Sequence, residues 1–199
     1  MSTILQIVLI GEESVGKTSI IEQFTKGSIN QDLPPTTSAQ FSTGLIILEE
    51  LNQTIKSNIW DVPGHTQYKQ FAKIFYKNAN VICLCYDRTK KSSFQKLKDF
   101  WYEKEIKINV AHDPILVIVA NKNDVYDIKE VEDEEGKAFA EEINTIFQST
   151  SAMSYNSIRS LFDNIARKYF DPSFDTNEFE KRKKKRKKKY EGIKLNTYK

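Results

Sequence analysis

Apolar residues along this chain come in short blocks separated by polar stretches. Residues 5–10 form an apolar run interrupted only by Gln6, which reads as a strand buried on both faces. Residues 19–24 then carry helical spacing, and residues 26–39 are polar and broken by Pro34-Pro35, which predicts a long loop. Residues 41–48 and 55–61 read as two strands, and the short link between them requires an antiparallel pair. After a polar segment, residues 68–76 are expected to be helical. From there strand and helix alternate: strands over 81–86, Ile115–Asn121 and 146–150, and helices over 92–108, 132–142 and 157–168. Such alternation predicts a mostly parallel sheet with helices on both faces, hence three α/β/α layers. Six strands with one antiparallel edge strand and five helices are expected.

Composition narrows this picture a little. At 199 residues and 39% hydrophobic content the chain can bury a sizeable core. No apolar run approaches the ~20 residues that span a bilayer. The first apolar run lacks a basic leader, and Ser2 offers no glycine for N-myristoylation. Cys83 and Cys85 alternate on one face of an apolar strand, so two buried free thiols are expected rather than a metal site or a disulfide. The net charge of +3 hides an asymmetry, since residues 171–199 carry +6 and residues 1–170 carry −3. Residues 1–170 are therefore read as one domain and 171–199 as a basic tail.

The candidate chemistry starts where the first strand ends. Gly11-Glu12-Glu13-Ser14-Val15-Gly16-Lys17-Thr18 fits the phosphate-loop pattern G-x-x-x-x-G-K-[ST] between a strand and a helix. Glycines let the backbone approach an anion closely, and loop N–H groups converge on it at a helix N-terminus. Lys17 is placed to reach the β- and γ-phosphates and Thr18 to offer a hydroxyl to Mg²⁺. A structural turn is the competing reading.

Two further elements lie at strand ends, where open α/β sheets bind ligands. Asp61, three residues before Gly64, is a carboxylate that can hold Mg²⁺ through water, and Gly64 can bring an N–H to the γ-phosphate. Thr36, eighteen residues after Thr18, is a candidate second hydroxyl for the metal. Asn121-Lys122-Asn123-Asp124 is the third element. The Asp124 carboxylate can accept from N1–H and the N2 amine of guanine, an edge that adenine lacks. Asn121 can tie this loop to the phosphate loop, the Lys122 stem can cover the base, and Ser151-Ala152 can close the pocket, with the Ala152 N–H toward guanine O6. A turn rich in Asn and Asp is the bland alternative.

Together these motifs resemble the Ras superfamily of small GTPases, nearest its Rab branch, over about residues 3–169. Ile59-Trp60-Asp61, Phe75-Tyr76-Lys77-Asn78-Ala79 and Tyr86-Asp87-Arg88-Thr89 with Ser93-Phe94 are similar to stretches of that branch. The resemblance implies a P-loop NTPase G domain that binds GTP or GDP with Mg²⁺. It implies nucleotide contacts from Glu13, Ser14, Val15, Gly16, Lys17, Thr18, Ser19, Ile29, Thr36, Gly64, Asn121, Lys122, Asp124, Ser151, Ala152 and Met153. The metal would meet Thr18, Thr36 and, through water, Asp61. Lys17, Thr36 and the residue at position 65 would serve hydrolysis. Phe41, Trp60 and Phe75 or Tyr76 would form a surface for protein effectors, with a buried aromatic cluster as the competing reading.

The departures from the family shape the expected activity. His65 stands where a glutamine orients the attacking water. Glu13 puts a carboxylate where a small residue is usual, beside the γ-phosphate. Pro63 removes an N–H and fixes φ, and Thr66 replaces a glutamate. Ile29 falls where a phenylalanine packs against guanine, losing an aromatic contact of ~0.5–1.5 kcal/mol. No cysteine follows Cys85, so a C-terminal prenyl group is not expected.

The run Lys181-Arg182-Lys183-Lys184-Lys185-Arg186-Lys187-Lys188-Lys189 reads first as a solvated arm. It also suits an acidic protein or an anionic membrane at ~1 kcal/mol per cation, and nuclear import is a further use. A nucleic acid is less favoured. The spacing of Glu178/Arg182 and Glu180/Lys184 predicts a tail that extends the last helix when bound. The expected protein is a cytoplasmic, monomeric G domain, peripheral where its tail attaches, that cycles slowly between GTP and GDP. The alternative is a G domain kept as a scaffold subunit with static nucleotide.

Overall fold

The computed structural model describes residues 4–30, 32, 34–65, 72–176, 178, 179 and 181. Six strands form one sheet, β1 (Ile4–Ile10), β2 (Gln40–Leu48), β3 (Gln53–Asp61), β4 (Val81–Asp87), β5 (Ile115–Asn121) and β6 (Ile146–Ser149). Their order is β2-β3-β1-β4-β5-β6. The edge strand β2 runs antiparallel to β3, and all other pairs are parallel. This is the expected α/β/α architecture.

Besides a 3₁₀ turn at Glu49–Leu51 and helical residues at Thr176, Glu178, Phe179 and Lys181, the described residues form α1 (Lys17–Lys26), α2 (Lys73–Tyr76), a composite α3, α4 (Asp133–Glu142) and α5 (Tyr155–Phe170). The helix expected over 68–76 is described only as α2; residues 66–71 lie outside the described residues. Helix α3 starts α-helical (Lys91–Lys96), continues as a π-helix (Leu97–Ile106) and ends in a last α-helical turn (Lys107–Asn109). The π stretch departs from the regular helix that the sequence predicts. Its buried residues Leu97, Trp101 and Ile106 are spaced by four and then five. That spacing suits i→i+5 hydrogen bonding, because a tighter α-helix would turn Ile106 away from the core.

The alternation of β1 builds the two cores. Leu5, Ile7 and Leu9 face α1 and α5, and Val8 and Ile10 face the α3 and α4 side, all of them fully buried. Strands flanked on both faces must be apolar throughout, which is why residues 5–10 carry almost no polar position. Helix α5 buries Ile158, Leu161, Phe162, Ile165 and Ala166, the i, i+3, i+4, i+7, i+8 stripe of an amphipathic helix. Phe162 stacks on Phe24 of α1 with ring centroids 3.7 Å apart. Cys83 and Cys85 are buried free thiols on the same face, and burial pushes the Cys85 thiol up to about 12.

The chain does not extend α5 past Phe170. Asp171 is extended, at φ −129° and ψ 95°, and its carboxylate accepts from the Ser173 N–H and Oγ. Pro172 has no N–H with which to continue the helical ladder. Lys168 Nζ then donates to the carbonyls of Pro172 (2.6 Å) and Phe174 (3.2 Å), and the Arg167 guanidinium lies 4.6 Å from the Phe179 ring centre. Residues 171–176, 178 and 179 thus turn back along α5. The tail is therefore not continuous with α5; helix resumes at Thr176, Glu178, Phe179 and Lys181, while Glu180, Arg182 and Lys184, whose pairing was expected to support a helix in the bound tail, lie outside the described residues.

Truncating Phe162 to alanine removes a fully buried ring that bridges two helices. The expected cost is about 3–5 kcal/mol of unfolding free energy, measured by urea denaturation.

Candidate nucleotide site

The strand ends converge by register. Leu9 lies beside Asp61, Asp87 beside Asn121, and Ala120 beside Ser149, so the loops after β1, β3, β5 and β6 share one edge of the sheet. Two glycines decide how closely they approach. Gly16, the N-cap of α1, has φ 93°, and a Cβ there would lie 2.3 Å from Asn121 Nδ2. A Cβ on Gly64 would lie 2.3 Å from the Glu12 carbonyl carbon and 2.4 Å from the Glu13 nitrogen. Any other residue would force these loops apart.

Lys17, only 6% exposed, donates to the carbonyls of Gly11 (3.0 Å) and Glu12 (2.8 Å). Burial lowers its pKa, and the nearby Asp61 carboxylate works against that shift. Asp61 is 2% exposed, and burial raises its pKa while the Thr18 hydroxyl bond and Lys17 oppose the rise. Thr18 Oγ1 donates to Asp61 Oδ2 at 2.5 Å and lies 2.8 Å from Thr36 Oγ1. Asp61 Oδ1 is buried with no hydrogen-bond partner. Two hydroxyls and a carboxylate with a spare buried oxygen are hard oxygen donors, the type that Mg²⁺ selects. They adjoin a cavity of about 250 Å³ lined by Glu13, Ser14, Gly16, Lys17, Thr18, Ser19, Pro34, Pro35, Thr36, Gly64 and Lys122. A buried ammonium and loop amides on one side and oxygen donors on the other fit a phosphate with its metal.

The base-side loops are tied to this cavity by buried Asn121. Its Nδ2 donates to Val15 O at 2.9 Å, and its Oδ1 accepts from Ala152 N–H (3.2 Å) and Thr150 Oγ1 (3.3 Å). Lys122 has φ 66°, and its ammonium pairs with Asp87 Oδ2 at 2.7 Å. Asp124 Oδ1 accepts from Ser151 Oγ, which itself accepts from Met153 N–H at 3.1 Å. The structure therefore gathers Ser14 to Ser19, Thr36, Asp61, Gly64, Asn121, Lys122, Asp124, Ser151, Ala152 and Met153 along one edge. Glu13 is exposed at the cavity mouth and His65 is exposed after Gly64. Ile29 is half-buried and is not part of the cavity lining.

Sequence reasoning missed Asp87 as a site residue. Its fully buried side chain holds Lys122 with one oxygen and the Thr89 N–H and hydroxyl with the other. The available signal was Asp87-Arg88-Thr89, an Asx-turn pattern at a strand end. Thr150 was likewise read only as a strand end. Among the aromatic residues, Trp60 stands 5.0 Å from Phe41 and 4.9 Å from Phe75, measured between ring centres. Tyr76 does not share that surface. It is fully buried and its hydroxyl donates to Glu105 Oε2 at 2.6 Å, so the expectation that placed it on the surface is corrected.

A P-loop strand–loop–helix unit, an Asp and Thr pair of hard oxygen donors, and an Asn-Lys-Asn-Asp loop bonded to the phosphate loop, on a sheet of this order, define a Ras-like G domain. Comparison with known proteins agrees. The Ras family model matches residues 6–171. The chain is 33% identical to Ras-related protein RabC of Dictyostelium discoideum over 158 residues, covering 79% of this chain and 80% of that protein. It is 32% identical to human Ras-related protein Rab-22A over 173 residues, 87% of this chain and 86% of the relative. It is also 32% identical to GTP-binding protein ypt3 of Schizosaccharomyces pombe (strain 972 / ATCC 24843) over 167 residues, 84% and 76% of the two chains. The chain belongs to the Ras family, near its Rab branch, and is a GTPase of the GTP-binding switch class.

The raised pKa of Asp61 sets a pH test. Its protonated form favours the folded state, so this contribution is present below the ordinary carboxylate range and is lost as pH rises through the raised value. In EDTA-treated protein, Asp61→Asn should therefore flatten the decline of melting temperature between acidic and neutral pH. At neutral pH Mg²⁺ should raise the melting temperature of the GDP-loaded parent and leave that of Asp61→Asn unchanged.

Proposed function

We propose that this chain is a guanine-specific switch whose intrinsic GTP hydrolysis is slow. The observation that carries the reading is the Asp124 carboxylate, oriented by Ser151 on a loop that Asn121 bonds to the phosphate loop. Asp124 accepts from the guanine edge, Lys122 covers the base while Asp87 holds its ammonium, and Lys17 with the loop amides binds the phosphates. Thr18 and Thr36 offer hydroxyls and Asp61 a water-mediated carboxylate to Mg²⁺, which supplies charge neutralisation along the phosphates.

Position 65 limits the chemistry. A neutral imidazole offers one donor and one acceptor on a rigid ring and cannot copy an amide that orients water. Glu13 adds negative charge at the mouth of the cavity, which opposes charge building on the phosphates and obstructs an arginine supplied from outside. The same two residues favour a second reading, a G domain that keeps its nucleotide static inside a larger assembly.

Phe41, Trp60 and Phe75 are the proposed effector surface, because their tilted, contacting rings end in the exposed Phe41. The basic run from Lys181 is proposed to bind a polyanionic surface, an acidic protein or an anionic membrane, in a salt-sensitive way. Among the described residues no helix is long and apolar enough to cross a membrane.

Asp124→Asn should weaken GDP binding about tenfold or more and shift preference to xanthosine diphosphate, whose C2 carbonyl accepts where guanine donates. Competition titrations measure this, and equal ATP and GTP affinity for the parent chain would contradict the base assignment. His65→Gln with Glu13→Gly should hydrolyse GTP faster than the parent in a single-turnover phosphate-release assay. A parent that is already as fast removes the argument from these two residues, and a parent with no turnover supports the static reading.

A further inference from the structure

Glu12 has no role in the reading above, yet the phosphate loop is built around it. Its side chain is 12% exposed and turns away from the cavity toward α3. One carboxylate oxygen accepts from the Trp101 indole N–H at 3.0 Å, and the other pairs with Lys96 Nζ at 3.0 Å. Trp101 is fully buried in the π-helical part of α3. On its backbone side, the Glu12 carbonyl accepts from Lys17 Nζ at 2.8 Å, and its peptide is the one that Gly64 approaches without room for a Cβ.

We propose that Trp101 is a positioning residue for the phosphate loop, acting through Glu12 to hold the peptide that aims Lys17. A carboxylate anchored at both oxygens fixes the χ angles of Glu12 and ties its Cα to α3. That tether restrains the loop backbone whose carbonyl Lys17 grips. The π-helical stretch makes the anchor possible, since its four-then-five spacing keeps Leu97, Trp101 and Ile106 facing inward together. An indole at this place donates one hydrogen bond to a nearly buried carboxylate, a charge-assisted contact stronger than a neutral one. Without it the loop peptide gains freedom, and a bound phosphate would escape sooner.

The proposal rests on guanine-nucleotide binding, so the test uses the full chain loaded with the fluorescent analogue mant-GDP and chased with excess GDP in Mg²⁺. Trp101→Phe, which keeps a ring and removes the donor, should speed release about tenfold. Glu12→Ala should match it, and the double variant should be no faster than either single one. Glu12→Gln keeps an acceptor for the indole and should rescue release to within about threefold of the parent. Tyr76→Phe breaks the bond to Glu105 on the same π stretch without touching the loop and should leave release unchanged.

A spectroscopic arm covers the case in which Trp101→Phe does not fold. The chain has two tryptophans, so in Trp60→Phe the emission reports Trp101 alone and should shift when EDTA strips the nucleotide. Lys96→Met, at the exposed end of the anchor, should enlarge that shift. The proposal is overturned if Trp101→Phe releases mant-GDP within about twofold of the parent, if the two single effects multiply in the double variant, or if Trp101 emission ignores the nucleotide. A parent chain that retains no mant-GDP overturns the guanine reading itself, and this proposal with it.

Discussion

Lys17 is an ammonium taken out of water and held by two backbone carbonyls, close to a carboxylate that is itself buried with one oxygen unused. Neither arrangement is favourable alone, because desolvating a charge costs more than a few neutral hydrogen bonds return. The opposing pKa directions of the two groups state this strain in chemical form, with burial pressing both toward neutrality. A phosphate beside the lysine and a cation beside the aspartate would relieve it together. Much of the surrounding architecture keeps these charges in place. The tight approach at Gly16 and Gly64, the Asn121 bridge to Val15 and the anchoring of Glu12 on α3 all resist relaxation of the loop.

The parts legible from sequence were those set by local pattern. The buried run over residues 5–10, the alternation after residue 81 and the phosphate-loop spacing each encode one element with one dominant period, and the element order followed from them. Asp61, Asn121 and Ser151 were singled out because ligands in such sheets bind beyond the strand ends. The parts that were not legible depend on contacts far apart in the chain. Asp87 meets Lys122 only because β4 and β5 pair in register, and no local signal gives that partner. Tyr76 and Phe75 are adjacent aromatics, and Tyr76 is the one that turns inward, into a core shared with distant residues and onto Glu105 on a helix well downstream. The π-helical stretch escaped because its buried residues fit no α period, and a short irregular spacing reads as noise until the helix is built.

The tail illustrates the same limit from another side. Charge spacing at Glu178 and Glu180 argued for a continued helix, yet Asp171 and Pro172 end it first by removing a donor and opening the backbone. The break is local, since Thr176, Glu178, Phe179 and Lys181 are helical again beyond it. Aromatic and cationic contacts from Phe174, Phe179 and Arg167 then turn the chain along α5. The basic run from Lys181 therefore starts from the side of the domain where Phe179 meets Arg167, a helical turn from the end of α5.

The central claim is that this edge of the sheet holds a guanine nucleotide together with Mg²⁺. The most direct measurement is native mass spectrometry of the full chain purified in Mg²⁺, followed by chemical identification of whatever it releases on denaturation. The account predicts one GDP or GTP per chain with one Mg²⁺, lost together in EDTA. A folded chain that carries an adenine nucleotide, or that carries none and takes up no added GDP, would contradict it.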